Sequence, residues 1–240
     1  MAGHSKWANI KHRKGRADAI KGKIFSRLVK EIISAVKQGG PDPKSNSRLR
    51  IVIQKAREAN LPNDNIERNI KKATSADQAD YTEMTYELYG YGGVGIIAEV
   101  MTDNKNRISS DMRIATNKKG GTVATPGSVA FNFERKGVIQ ILKANIAEDD
   151  LFLASTEAGA EEFDSAEEAF IITTPPDQLI QVKEKLVQAG YKCEEAELQM
   201  IPKLYIDCDP ENQKLNLELI DYLEALDDVD AVYHNMKIEA

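Results

Sequence analysis

Apolar side chains recur at intervals of three and four through Ile24, Phe25, Leu28, Val29, Ile32, Ile33 and Val36, and Gly39-Gly40-Pro41 stops the run. This spacing predicts an amphipathic helix with one buried face. A second helix is predicted after Ser45-Asn46-Ser47, with Leu49, Val52, Ile53 and Ala56 turned inward and Asn60 as a left-handed terminator. Pro62-Asn63-Asp64 opens a third, shorter helix carrying Ile66 and Ile70. Three helices of this size make a small bundle. Ahead of them, Trp7 and Ile10 are the only large apolar side chains before Ile20, so residues 1–23 are expected to be a mobile arm.

Beyond the polar linker 74–80 the period changes to two. Residues 85–90 and 94–102 read as strands joined by the Gly-rich turn Gly90-Tyr91-Gly92-Gly93, and 106–119 reads as a helix ended by Gly120-Gly121. Then come a strand at 138–142, a helix at 148–158, strands at 161–163 and 169–173, a helix at 176–189 and a strand at 192–201. That succession is the ferredoxin-like unit. A strand near 204–207, a helix at 210–226 and a final strand at 231–238 are too little to stand alone. They are expected to complete the sheet begun at residue 85. The fold class is therefore multi-domain α and α+β: an N-terminal three-helix domain followed by two α+β domains, one ferredoxin-like and inserted in the other. The expected boundaries are 1–78 for a basic helical domain, 79–136 with 202–240 for a discontinuous α+β domain, and 137–201 for the acidic insert.

Charge sharpens this division. The 240 residues carry a net charge of -6, but residues 1–75 hold 18 Lys/Arg against 6 Asp/Glu, whereas residues 144–240 hold 6 against 24. Opposite ends of the chain present opposite fields, and a polyanion would meet the N-terminal third. No stretch of about 18 uncharged apolar residues exists, which argues against a membrane span or signal peptide. Cys193 and Cys208 are the only cysteines, with no C-x-x-C spacing, so neither a disulfide framework nor a zinc site is indicated and a reducing cytoplasm is expected.

The strongest chemical signal is the run Lys6, Lys11, His12, Arg13, Lys14, Arg16, Lys21, Lys23, Arg27 and Lys30, interrupted by one acid, Asp18. Such cations displace counterions from a phosphate backbone, and Trp7 has two candidate roles, stacking on an exposed base or anchoring the arm to the bundle. The second and third helices resemble a helix-turn-helix that presents Asn63, Asn65, Arg68, Asn69 and Lys72, although Asp64 and Glu67 would also face phosphate. Phosphate contacts with weak sequence preference are expected there. The Gly90 turn lacks the following helix that a nucleotide loop needs, and reads as a hairpin. The stretch Gly120, Gly121, Thr122, Val123, Ala124, Thr125, Pro126, Gly127, Ser128 has few bulky anchors and is either a working loop or simply mobile. Asp207, Asp209, Glu211 and Glu218 sit at calcium-loop spacing. Without the glycine of such a loop, Asp209 reads instead as a helix cap ahead of Pro210. His4, His12 and His234 have no catalytic company, so no enzyme, cofactor or metal is expected. No dimer seam is visible, and a monomer is expected.

The opening Met1-Ala2-Gly3-His4-Ser5-Lys6-Trp7-Ala8-Asn9-Ile10-Lys11-His12, with Gly39-Gly40-Pro41-Asp42-Pro43, Asn60-Leu61-Pro62, Asp64-Asn65-Ile66, Tyr89-Gly90 and Gly127-Ser128-Val129 followed by Phe131, resembles the YebC/PmpR family, which includes a mitochondrial translational activator of cytochrome oxidase subunit I. The resemblance implies a helical N-terminal domain and two α+β domains, a cytoplasmic setting, and a DNA-binding transcriptional regulator. It implies as an alternative a translation factor that binds ribosomal RNA and relieves stalled synthesis, for example at proline runs, with the loop 120–128 probing a functional centre. An acidic protein-interaction scaffold is a third alternative.

Overall fold

The computed structural model describes residues 6–10, 21–75, 80–143 and 145–238. Helices α1 (Lys21–Gly39), α2 (Ser47–Glu58) and α3 (Asn63–Ala73) come first. The inward face of α1 contributes Leu28, Ile32, Ile33 and Val36, and α2 and α3 both lie against it, adding Leu49, Val52, Ile53, Ala56 and Ile66 to one apolar core. One buried side chain organises the α1–α2 corner. The Asn46 side-chain oxygen accepts from the Leu49 N–H at 3.0 Å, and its amide donates to the carbonyls of Ala35 and Gly40 at 2.8 Å. It therefore satisfies orphan groups at the end of one helix and the start of the next. Asn60 adopts φ +62°, the left-handed stop expected after α2.

The chain continues through β1 (Thr82–Tyr89), β2 (Gly95–Thr102), α4 (Lys105–Lys119), β3 (Thr122–Val123), β4 (Phe133–Leu142), α5 (Glu148–Ala158), β5 (Glu162–Ser165), β6 (Ala169–Thr174), α6 (Leu179–Gln188), β7 (Glu195–Pro202), α7 (Pro210–Ala225) and β8 (Val229–His234). These strands make two four-stranded antiparallel sheets, ordered β3-β1-β2-β8 and β5-β6-β4-β7. The last strand pairs with β2, from Ile96 opposite His234 to Val100 opposite Val229. The strand expected near 204–207 is reduced to one bridge, Ile206 with Met236. The short β3 was not foreseen.

Alternation along the strands sends Ile96, Ala98 and Val100 towards α4 and α7, where they meet Ile108, Met112, Leu219 and Leu223. In the second sheet Ile139, Ile141, Phe170 and Ile172 pack against Leu151 of α5 and Val182 and Leu186 of α6. Ile97, Ala231 and Tyr233 meet Val129, Phe133 and Met200 in a further cluster that joins the two sheets.

The expected mobility of the arm is corrected at residues 6–10, which form a helical turn packed into the molecule. Trp7, 6% exposed, and Ile10 pack with Val138, Ala166, Ala169 and Ile171, on the opposite side of the second sheet from α5 and α6. Ala8 joins the core of the first sheet, and Asn9 Nδ2 donates to the Met236 carbonyl at 3.1 Å. The turn thus ties both sheets together. Lys11, His12, Arg13, Lys14 and Arg16 lie outside the described residues, as do the side chains of Lys21 and Lys23.

Candidate nucleic-acid interface

Several cations expected to touch phosphate are occupied inside the protein. Lys6 Nζ lies 2.8 Å from Glu162 Oε2 and 2.8 Å from Asp164 Oδ2. Burial alone would lower its pKa, but those two carboxylates outweigh it and the lysine is raised. Trp7, packed between strands and loop, presents no face to a base. It does anchor, but to the second sheet and not to the helical bundle. Arg27 Nε pairs with Glu31 at 3.0 Å and faces Asp230, Tyr233 and Glu197. Lys30 Nζ donates to the carbonyls of Asp227 and Met101, at 2.7 and 3.2 Å, and lies 3.3 Å from Asp228 Oδ1. Asp228 also accepts from Arg107 at 2.6 Å and from Thr102 at 2.8 Å. Burial pushes its carboxyl up, but Arg107, Thr102 and Lys30 together hold it below the usual range. Lys37 with Asp80 and Arg48 with Glu83 add further ion pairs, between the helices and the segment 80–83 that opens β1. Lys6, Arg27 and Lys30 therefore each have acidic partners within the protein, with Lys6 and Lys30 largely enclosed and the Arg27 side chain 36% exposed.

A different set remains open. Arg50, Lys55 and Arg57 on α2 and Arg68, Lys71 and Lys72 on α3 are exposed, and none has an ion pair among the described residues. Their exposure follows from helical period, because Val52, Ile53, Ala56, Ile66 and Ala73 take the inward positions. Arg68 and Lys72 are singled out by the sequence pattern, whereas Arg50, Lys55, Arg57 and Lys71 are overshadowed there by the denser run at the N-terminus. Their signal is present as the polar half of the period that identifies α2 and α3. The nearby acid Glu58 has Lys183 at 3.5 Å. The amides that could read bases are engaged locally. Arg57 Nε donates to Asn63 Oδ1 at 3.2 Å, Arg68 Nη2 to Asn65 Oδ1 at 2.6 Å, and Asn69 Nδ2 to the Asn65 carbonyl at 2.7 Å.

The second feature is the loop that succeeds α4. Gly120 and Gly121 take φ of +78° and +82°, and a Cβ on Gly120 would sit 1.8 Å from the Tyr91 hydroxyl. Glu87, 7% exposed on β1, accepts through Oε1 from the Gly127 N–H at 2.6 Å. Its Oε2 accepts from the N–H groups of Val129 and Ala130 at 2.6 and 2.8 Å. Burial would raise this carboxyl, but the three backbone donors outweigh it and hold it below the usual range. Tyr89 Oη donates to the Ser128 carbonyl at 2.9 Å. The loop is thus anchored through its backbone, which leaves Thr125, Pro126 and Gly127 exposed. Phe131 and Leu204, 72% and 71% exposed, lie on crossings tied by the Lys203 N–H donating to the Asn132 carbonyl at 2.8 Å.

Asp209 caps α7, accepting from the Asn212 N–H at 2.9 Å with Pro210 in the first turn. Asp207 pairs with Lys237 and Glu218 with Lys119, and no cluster of three or more His, Cys, Asp or Glu side chains suited to a metal occurs among the described residues. No described helix is long and apolar enough to cross a membrane.

Residues 5–76 match the family model described as the TACO1/YebC protein N-terminal domain, and residues 81–236 match that of the TACO1/YebC second and third domain. The chain is 70% identical over 238 residues to a protein of Protochlamydia amoebophila named a probable transcriptional regulatory protein, covering 99% of this chain and 97% of that one. A Chlamydia pneumoniae protein of the same description is 61% identical over 98% of this chain and 100% of its own. The crystal structure of a conserved hypothetical protein from Aquifex aeolicus superposes with a TM-score of 0.85 at 40% identity, covering 98% of each chain.

Proposed function

The chain belongs to the TACO1/YebC family, and on that footing we propose that it is a non-enzymatic regulator of transcription that binds DNA through the exposed cations of α2 and α3. The observation that carries this reading is the set Arg50, Lys55, Arg57, Arg68, Lys71 and Lys72, on neighbouring helices and without ion pairs among the described residues. Cations in that state neutralise phosphate without first surrendering an internal partner. The names of the relatives support transcription as the regulated process, and DNA is the polymer on which that process runs. With Asn63 and Asn65 engaged and Asp64 and Glu67 exposed, contacts to phosphate dominate over base reading. The working parts are residues 1–78, 79–136 with 202–240, and 137–201. The acidic last part is repelled by the polymer and faces away from it. The protein acts as a cytoplasmic monomer without a cofactor.

A second reading, attachment to ribosomal RNA in translation, draws on the loop. A backbone-anchored loop with exposed Pro126 and Gly127 beside Phe131 adds little to a protein that only holds duplex phosphate, but suits one that reaches into a cavity of a larger particle. Titration of duplex DNA and of a ribosomal RNA fragment over a salt series tests both readings. DNA binding that steepens with falling salt, and that charge removal on α2 and α3 abolishes, supports the first. Sedimentation with ribosomes, lost in Gly127→Pro without loss of RNA affinity, supports the second. Binding to neither polymer refutes both.

A further inference from the structure

A groove of about 360 Å3 opens on the helical bundle, lined by Pro43, Arg50, Ile53, Gln54 and Arg57. Arg50 and Arg57 are seven residues apart on α2, which places them on one face about 10 Å apart along the axis. Gln54 stands between them. Ile53 is buried and supplies an apolar floor, with Pro43 as a wall. Among the described residues Arg57 spends only its Nε, on Asn63, which fixes the plane of the guanidinium and leaves both terminal nitrogens for a ligand. The Gln54 amide nitrogen donates to Glu58 at 3.2 Å, so its oxygen is the atom left to accept. Lys183 beside Glu58 offsets the closest acid on the helix, and Asp42 turns its Oδ1 to the Lys44 N–H at 3.0 Å.

Two anion sites separated by an apolar floor and an amide match one unit of a nucleic-acid strand: phosphate, flat base with a polar edge, phosphate. We propose that this groove seats a single unpaired nucleotide within a strand, the Arg50 and Arg57 guanidiniums taking its two flanking phosphates and Gln54 the edge of its base. This deepens the nucleic-acid reading of the same helices and rests on it. The volume lies at the small end of ligand sites and admits one nucleotide, whereas a paired base is held in its duplex and cannot enter. Lys55 on α2 and the α3 cations extend the positive surface beyond the groove, which favours a strand over a free nucleotide.

Fluorescence anisotropy on the full chain tests this, with a labelled single-stranded oligoribonucleotide, a duplex of the same length, and adenosine monophosphate and poly-glutamate as competitors at matched ionic strength. Gln54→Leu keeps the charge and is expected to weaken the single strand about five- to tenfold while the duplex is unchanged, the loss of one hydrogen bond at an exposed position. Arg50→Gln with Arg57→Gln should weaken the single strand by about 100-fold or more, exceeding the loss on the duplex. Lys71→Gln with Lys72→Gln should weaken both polymers equally. Equal effects of Gln54→Leu on both polymers, or none on either, would overturn the groove while leaving the nucleic-acid reading of α2 and α3 in place. So would competition by the mononucleotide or poly-glutamate as effective as that of the strand. Binding of neither polymer by the wild-type chain would instead overturn the nucleic-acid reading itself.

Discussion

Replacing Glu87 by Gln leaves the side chain almost isosteric but changes what it can accept. The carboxylate receives three backbone N–H groups, from Gly127 and Val129 at 2.6 Å and from Ala130 at 2.8 Å. The amide retains one oxygen and turns an NH2 towards at least one of those donors, so at least one bond to a charged acceptor is lost in a site only 7% exposed. A hydrogen bond to a charged group contributes about 1.5–3 kcal/mol, so the variant should be about 3 kcal/mol less stable at pH 7. The pH dependence has a definite sign. The folded carboxyl is held below its ordinary value, so its contribution is complete above the unfolded pKa of about 4.3 and is lost as pH falls through the folded value. Wild type and variant should therefore converge in acid. Urea denaturation at pH 7 and in a series descending well below pH 4 measures the gap, and amide exchange at Gly127, Val129 and Ala130, about 100-fold faster in the variant, localises it. A variant within about 0.5 kcal/mol of wild type at pH 7, with unchanged exchange at those amides, would show that Glu87 does not hold the loop.

Other perturbations probe the rest of the framework. Trp7→Ala should cost about 3–5 kcal/mol in denaturant unfolding, because it empties a packed site between the N-terminal turn and the second sheet; a cost typical of an exposed residue would mean that the turn does not dock. Asn46→Ala removes a helix cap and two buried donor bonds, and should cost about 3 kcal/mol. Asp230 is pushed up to about 6, chiefly by burial, with Arg27 and Lys30 pulling the other way. A raised carboxyl is a cost above its folded pKa that fades as pH falls towards the unfolded one, so Asp230→Asn should stabilise by about 1–3 kcal/mol at pH 7.5 and by nothing near pH 4. A constant difference across that range would count against burial as the cause.

Local pattern made much of the framework legible. The helix at Glu148–Ala158 was bounded to the residue, since three acids in its first turn and Gly159 at φ +108° mark both ends. Asp209 with Pro210 and Asn46 with Ser47 located two more helix starts for the same reason: a cap is written within four residues of sequence. What escaped depends on distant partners. The turn at residues 6–10 has too few apolar groups to bury a face alone, and its fit comes from Val138, Ile171 and Met236, more than a hundred residues away. Lys6 finds its carboxylates 156 and 158 positions along the chain. The charge gradient that pointed to phosphate is thus partly an intramolecular complement, with Lys6, Lys30 and Arg48 satisfied by the protein's own acids. The short β3, with both residues exposed, carries no alternation to detect.

The central claim is that phosphate is met by α2 and α3 and not by Lys6, Trp7, Arg27 or Lys30. The slope of log binding constant against log salt for duplex DNA tests it most directly, comparing wild type with a chain in which Arg50, Lys55, Arg57, Arg68, Lys71 and Lys72 are all Gln. Each lost phosphate contact should flatten the slope by about 0.9, so the variant should bind weakly with a much shallower dependence. An unchanged affinity and slope would contradict the claim and move the interface elsewhere in the chain.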